Sequence, residues 1–87
     1  MAWKIELDAA AKKRLAKLGQ APAQRVVAGL RKIAQLTDPR DRAKAMVDNW
    51  SGYWRFRFGD FRAIAKIEDD RLVIYVVAVG HRREIYD

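Results

Sequence analysis

Tyr53-Trp54-Arg55-Phe56-Arg57-Phe58-Gly59-Asp60-Phe61-Arg62-Ala63-Ile64-Ala65-Lys66 alternates aromatic and cationic side chains on both sides of a Gly-Asp pair. Successive side chains of a strand point to opposite faces, so the alternation sorts the two classes. A two-residue hairpin about Gly59-Asp60, with glycine supplying the positive φ at the first central position, sets the register. Phe58 then faces Phe61, Arg57 faces Arg62 and Arg55 faces Ile64. Trp54, Phe56, Phe58, Phe61, Ala63 and Ala65 share one face; Tyr53, Arg55, Arg57, Arg62 and Lys66 share the other. Like charges directly opposite each other repel. A cluster of them held on a rigid sheet suggests an anionic partner.

Working outward, the 87 residues form one small domain spanning 1–87, and 51% of them are hydrophobic, enough for one modest core. No cysteine is present, which excludes disulfides and thiolate chemistry. The single His81 cannot build a histidine metal site, so no metal and no cofactor are expected. Charged residues begin at Lys4 with no apolar signal-like run behind them, and the longest apolar stretch, Leu72 to Val79, is too short to span a membrane. A soluble cytoplasmic protein is the expectation. The formal charge is +7, and its distribution is uneven. Ala9 to Asp48 holds ten Lys/Arg against three Asp, whereas Asn49 to Asp87 holds seven against six Asp/Glu. The first half carries the long-range positive field and the second carries placed arginines, a pattern suited to nucleic acid.

Trp3 to Leu7 alternates as a first strand, and Asp8 is a suitable N-cap for a helix from Ala9 to Leu18, with Gly19 ending it. Pro22 fits the first turn of a second helix, whose stripe is Val26, Val27, Leu30, Ile33 and Ala34. Asp38-Pro39 stops it. Ala43 to Val47 reads as a helical turn, followed by a loop through Asn49-Trp50-Ser51-Gly52. After the hairpin, Glu68-Asp69-Asp70 is a turn and Leu72 to Val79 a strand apolar on both faces, hence central. The expected class is α+β: an N-terminal strand, two helices, then a three-stranded antiparallel meander with both helices packed on one face of the sheet. With Ile67 opposite Leu72, Val77 would lie beside Arg62 and Tyr75 beside Ile64. Leu72, Ile74, Val76 and Ala78 would then cover the helices. Val73, Tyr75, Val77 and Val79 would floor the cationic face, where a partner segment is expected to cover them.

Trp54-Arg55-Phe56-Arg57-Phe58-Gly59-Asp60-Phe61-Arg62, followed by Val79-Gly80-His81-Arg82-Arg83-Glu84-Ile85-Tyr86, resembles the RelE/ParE superfamily of toxins of type II toxin–antitoxin systems, most closely its RelE branch. The resemblance covers essentially the whole chain, since the element order is also that family's. It implies a single RelE-like toxin domain acting as a metal-free endoribonuclease. Such toxins enter the ribosomal A site and cleave messenger RNA there by attack of its own 2′-hydroxyl on the adjacent phosphate, which stops translation and growth. It also implies a RelB-like antitoxin that wraps the toxin, with operator DNA bound only through that antitoxin. By position, the implied catalytic residues are Arg55, Arg57, Arg62, Arg82 and Tyr86. Implied RNA contacts are Arg55, Arg57, Arg62, His81, Arg82 and Arg83, with Lys12 and Lys13 on the first helix touching ribosomal phosphates. Fixed guanidinium groups suit such chemistry because negative charge builds on the phosphorus in the transition state. Members of the RelE branch commonly carry lysine where Arg55 and Arg57 stand, and an arginine cannot serve as a base.

Blander readings exist for each residue. The strand arginines could be solvated, Tyr86 could be a packing residue, and Lys12, Lys13, Arg14 and Lys17 could be an ordinary helix face. Trp3, Trp50 and Trp54 read as core or interface anchors. A different function class is also open: a ParE-like toxin that inhibits DNA gyrase without catalysis. A fold shared by both classes does not choose between them.

Overall fold

The structure, a computed structural model, describes residues 2–85. Its elements run β1 (Lys4–Leu7), α1 (Ala9–Lys17), α2 (Gln20–Ala34), β2 (Ala43–Ala45), β3 (Trp54–Phe58), β4 (Phe61–Glu68) and β5 (Val73–His81), with short 3-10 turns at Pro39–Arg42 and Asp48–Trp50. The strands form one five-stranded sheet in the order β1-β5-β4-β3-β2. Every pairing is antiparallel except β1 with β5. No helix among the described residues is long and apolar enough to cross a membrane.

Local chemistry explains the helix ends. Asp8 caps α1, its Oδ1 accepting from the Ala11 N–H at 2.8 Å, a contact worth about 1 kcal/mol. Gly19, at φ +95°, separates the two helices in a conformation that a side chain would strain. α2 buries Val26, Leu30, Ile33 and Ala34 at helical spacing. These meet Phe56, Ala63, Ala65, Ile74, Val76 and Val79 from the sheet in one core. Gly29 permits the closest approach, because a Cβ there would lie 2.2 Å from the Phe58 ring. Both helices therefore sit on one face, as expected.

The hairpin follows the sequence reading. Arg57 pairs with Arg62, Phe58 with Phe61 and Arg55 with Ile64, and Gly59 has φ +62°. Two expectations are corrected. Ala43 to Val47 holds no helical turn: Ala43–Ala45 is strand β2, pairing Lys44 with Arg55. The register of β5 also differs: Ile67 pairs with Ile74 rather than Leu72, a displacement of two that keeps the facing, and beyond it Ile64 pairs with Ala78 rather than Tyr75 and Arg62 with Gly80 rather than Val77. A register shift between Ile64 and Ala65 leaves Val77 as an extra residue on β5. Such a bulge reverses the facing of everything after it. Val79 thus enters the helix-side core in place of Ala78, and Ala78 and Gly80 join the cationic face.

Ion pairs fasten the turns. Arg40 Nη1 and Nη2 donate to Asp69 at 3.1 and 2.6 Å, and Nη1 also reaches Asp38 at 3.1 Å. Its guanidinium lies 5.6 Å from the Trp54 ring centre, close enough for cation–π attraction. These hydrogen bonds hold Asp69 below the usual carboxylate range. Arg71 does the same for Glu68, donating from Nε at 2.8 Å.

Candidate functional site

The site is the sheet face opposite the helices, at the end where β2, β3 and β4 meet the Gly59-Asp60 turn. Cross-strand partners share a face. Two adjacent rows result: Lys44, Arg55, Ile64 and Ala78 in one, Arg57, Arg62 and Gly80 in the next. Four cations on three neighbouring strands thus share one face.

They are held differently. Arg62 is only 4% exposed. Its Nη1 donates to the carbonyl oxygens of Gly59 at 2.7 Å and Phe61 at 3.0 Å, which ties its charge to the hairpin turn. Arg57, directly opposite, is exposed. Arg55 is half-buried, and Lys44 is exposed. Burial fixes the Arg62 charge in place, while Arg57 and Lys44 present theirs to solvent. Arg57 also lines a small pocket of about 210 Å³ that turns around the sheet edge, where Lys32 and Arg42 add two more cations and no carboxylate contributes.

The tail after β5 meets the hairpin tip. The Arg82 N–H donates to the Asp60 carbonyl at 2.7 Å, and its Nε lies 3.8 Å from Asp60 Oδ1. Arg82 therefore stands at the turn, beyond the Arg57–Arg62 row. His81 pairs with Phe61 and meets its ring edge to face at 5.6 Å, which places it on the helix side of the sheet. Its Nδ1 accepts from the Arg83 N–H at 3.2 Å, and its own N–H donates to Glu84 Oε1 at 3.1 Å. Glu84 also pairs with Arg14, tying the tail to α1. Arg83 is exposed, as are Lys12 and Lys13 on α1, so these lysines lie on the helix side, away from the strand cations. Tyr86 lies outside the described residues. The fold thus gathers Arg55, Arg57 and Arg62, sets Arg82 at their border, and separates His81, Lys12 and Lys13 from them. No group of three or more His, Cys, Asp or Glu able to hold a metal occurs among the described residues.

Lys44 and Arg42 are additions that the sequence reading missed. The signal was faint: Ala43-Lys44-Ala45-Met46 alternates in the manner of a strand, but its residues are good helix formers.

Comparison with known proteins gives a consistent placement. Residues 5–86 match the model of the ParE toxin of the parDE type II toxin–antitoxin system. The RelBE2 toxin–antitoxin complex of Mycobacterium tuberculosis contains a chain with the same fold, at TM-score 0.86 and 20% identity, over 94% of this chain and 93% of that one. The free toxin RelE of E. coli, a mutant form, aligns at TM-score 0.74 and 18% identity over 97% of this chain and 87% of that one. A chain of the archaeal RelE–RelB complex of Pyrococcus horikoshii aligns at 0.72 and 20% over 98% and 100%. Among curated proteins none matches. Family model and fold similarity agree, and the chain belongs to the RelE/ParE superfamily of type II toxin–antitoxin toxins.

Proposed function

We propose that this toxin is a ribosome-dependent messenger RNA endonuclease. The observation that supports this reading is the pair of adjacent cationic rows, Lys44 with Arg55 and Arg57 with Arg62, on one sheet face. The 2′-hydroxyl of a bound message attacks the adjacent phosphorus, the bond to the 5′-oxygen breaks, and a 2′,3′-cyclic phosphate is left. The hydroxyl gives up its proton, and the departing 5′-oxygen takes one up. Negative charge on the phosphoryl oxygens peaks between those events, and fixed guanidinium groups stabilise it most there. Arg57 meets the phosphate from solvent, the turn-anchored Arg62 supplies a fixed field beside it, and Arg55 and Arg82 flank the scissile linkage. Arginine keeps its proton at physiological pH, so these residues stabilise charge and are not bases. Tyr86 is assigned to stacking on a base or to moving the hydroxyl proton. A RelB-type antitoxin is the proposed partner, by analogy with the complexes among the structural relatives.

The match to a ParE model favours a second reading, non-catalytic inhibition of DNA gyrase. Tightly controlled expression with primer-extension mapping of messages separates the two. Codon-phased cuts that disappear in Arg57→Ala, with that variant folded by circular dichroism, are expected. Intact messages together with relaxed or linearised DNA would overturn the nuclease reading.

A further inference from the structure

Between β2 and β3 the chain makes a closed loop that the strand pairing does not explain. The Met46 N–H donates to the Tyr53 carbonyl at 3.0 Å and closes its base. Inside it, Trp50 donates to Val47, Ser51 to Asp48 and Tyr53 to Trp50, at 3.0 to 3.2 Å. Asp48 adopts φ +59° and Gly52 φ +95°. A non-glycine residue in that region carries strain, which persists only where the surroundings impose it. The loop is thus preorganised, yet it displays apolar side chains: Val47 is 71% exposed and Trp50 38%. Trp50 is braced edge to face by Tyr53, with ring centres 5.4 Å apart and planes at 87°.

Val47 and Trp50 line a groove of about 370 Å³ whose other walls are cationic and polar. The strand end carries Lys44 and Arg55, cross-strand partners on the cationic face. The loop adds Val47 and Trp50, which are apolar, and Asp48 and Asn49, which are polar. A nucleotide presents the same three chemistries: a phosphate, a flat apolar face, and a hydrogen-bonding edge. Lys44 and Arg55 fit the phosphate. Trp50 offers a stacking surface that accepts any base. The Asp48 carboxylate repels phosphate and accepts from an exocyclic amino group, and Asn49 both donates and accepts.

We infer that this groove is a base-binding subsite for single-stranded RNA, one nucleotide removed from the Arg57–Arg62 row, with Trp50 as its stacking residue and Asp48 and Asn49 as readers of the base edge. The inference rests on the nuclease reading and extends it to substrate selection. Arg55, shared by groove and face, joins the two sites.

The test uses the full chain and a short 2′-O-methyl RNA oligonucleotide, which cannot be cleaved by 2′-hydroxyl attack. Affinity is measured by anisotropy over a salt series for wild type, Trp50→Leu, Trp50→Phe and Arg57→Ala. Trp50→Leu keeps the apolar bulk and loses the ring; an affinity loss of about tenfold with an unchanged salt slope is expected, the scale of one lost base stack. Trp50→Phe should recover most of it. Arg57→Ala should weaken binding and lower the salt slope by about one. Wild-type affinity in Trp50→Leu, with binding weakened in Arg57→Ala, overturns the subsite while leaving the nuclease reading intact. The same wild-type RNA affinity with loss of antitoxin binding in Trp50→Leu also overturns it, and makes the loop a protein-docking element. No RNA binding by wild type, together with uncut messages in cells, removes the nuclease reading and the subsite with it.

Discussion

Replacing Arg57 by glutamate should leave the protein more stable and its activity lost. Arg57 and Arg62 are direct cross-strand partners, and Arg57 also shares a pocket with Lys32 and Arg42. Opposed Cβ atoms lie roughly 5 Å apart. The guanidinium charges lie beyond those atoms, so with water-like screening their repulsion is at most about 0.8 kcal/mol. Reversing one sign turns that penalty into a gain, a swing of at most about 1.7 kcal/mol, from which ordering of the exposed glutamate subtracts some tenths. A net stabilisation of at most about 1 kcal/mol follows, and in a domain of this size that raises the melting temperature by at most about 4–8 °C. Arg57→Gln removes only the repulsion and should gain about half as much. Thermal melts at 0.1 M and 1 M salt provide the check, because the screening length falls from about 10 to 3 Å and the gain should shrink accordingly. A glutamate variant melting at or below the glutamine variant in low salt would refute the reasoning, as would a gain that survives 1 M salt. Message cleavage should be lost in both variants.

Gly29→Ala should destabilise despite the better helix propensity of alanine. The new methyl would meet Phe58 Cδ1 at 2.2 Å and Cε1 at 2.5 Å; overpacking costs about 1–3 kcal/mol against a propensity gain of about 1 kcal/mol. A lower urea midpoint at unchanged slope is expected, and a raised midpoint would show that the ring yields freely. For pH, Asp69 and Glu68 are both held below their ordinary values of 3.8 and 4.5 by hydrogen bonds from Arg40 and Arg71. Because the folded values are the lower ones, this stabilisation is complete above pH 4.5 and is lost as the pH falls through them. Melting temperature should therefore hold from pH 7 to 5 and drop below about 4, less steeply in Asp69→Asn; an identical acid profile in that variant would exclude the Arg40–Asp69 pair as a contributor.

What the sequence made legible depended on how sharply each segment marks its phase. The β3–β4 hairpin alternates aromatics with arginines around a Gly-Asp turn, so register and facing could be read residue by residue. β5 is apolar on both faces, and such a run looks the same when it slips; the two-residue displacement at the turn and the bulge at Val77 left no trace in composition. β2 is three residues of alanine and lysine, made a strand only by pairing with β3. Tertiary pairing there overrides a helical propensity. The candidate site inherits this unevenness. Arg55, Arg57 and Arg62 were visible as a group, but Lys44 and the Trp50 loop entered only once β2 was in place. His81 could not be assigned a side, because its facing depends on the bulge four residues before it.

The parallel pairing of β1 with β5 bears on how the chain is made. Lys4 finds its partner Val73 only after the 68 residues between them have been synthesised. Closing so long a loop is slow compared with local pairing. α1 packs against β5 as well, so the N-terminal strand and helix, which meet only each other and α2 before then, lack their main packing surface until β5 is made. The sheet therefore stays unfinished until β5 has been made. The cationic face, carried by β2, β3 and β4, pairs locally before that, so its charges gather on a sheet that still lacks the strand joining it to β1.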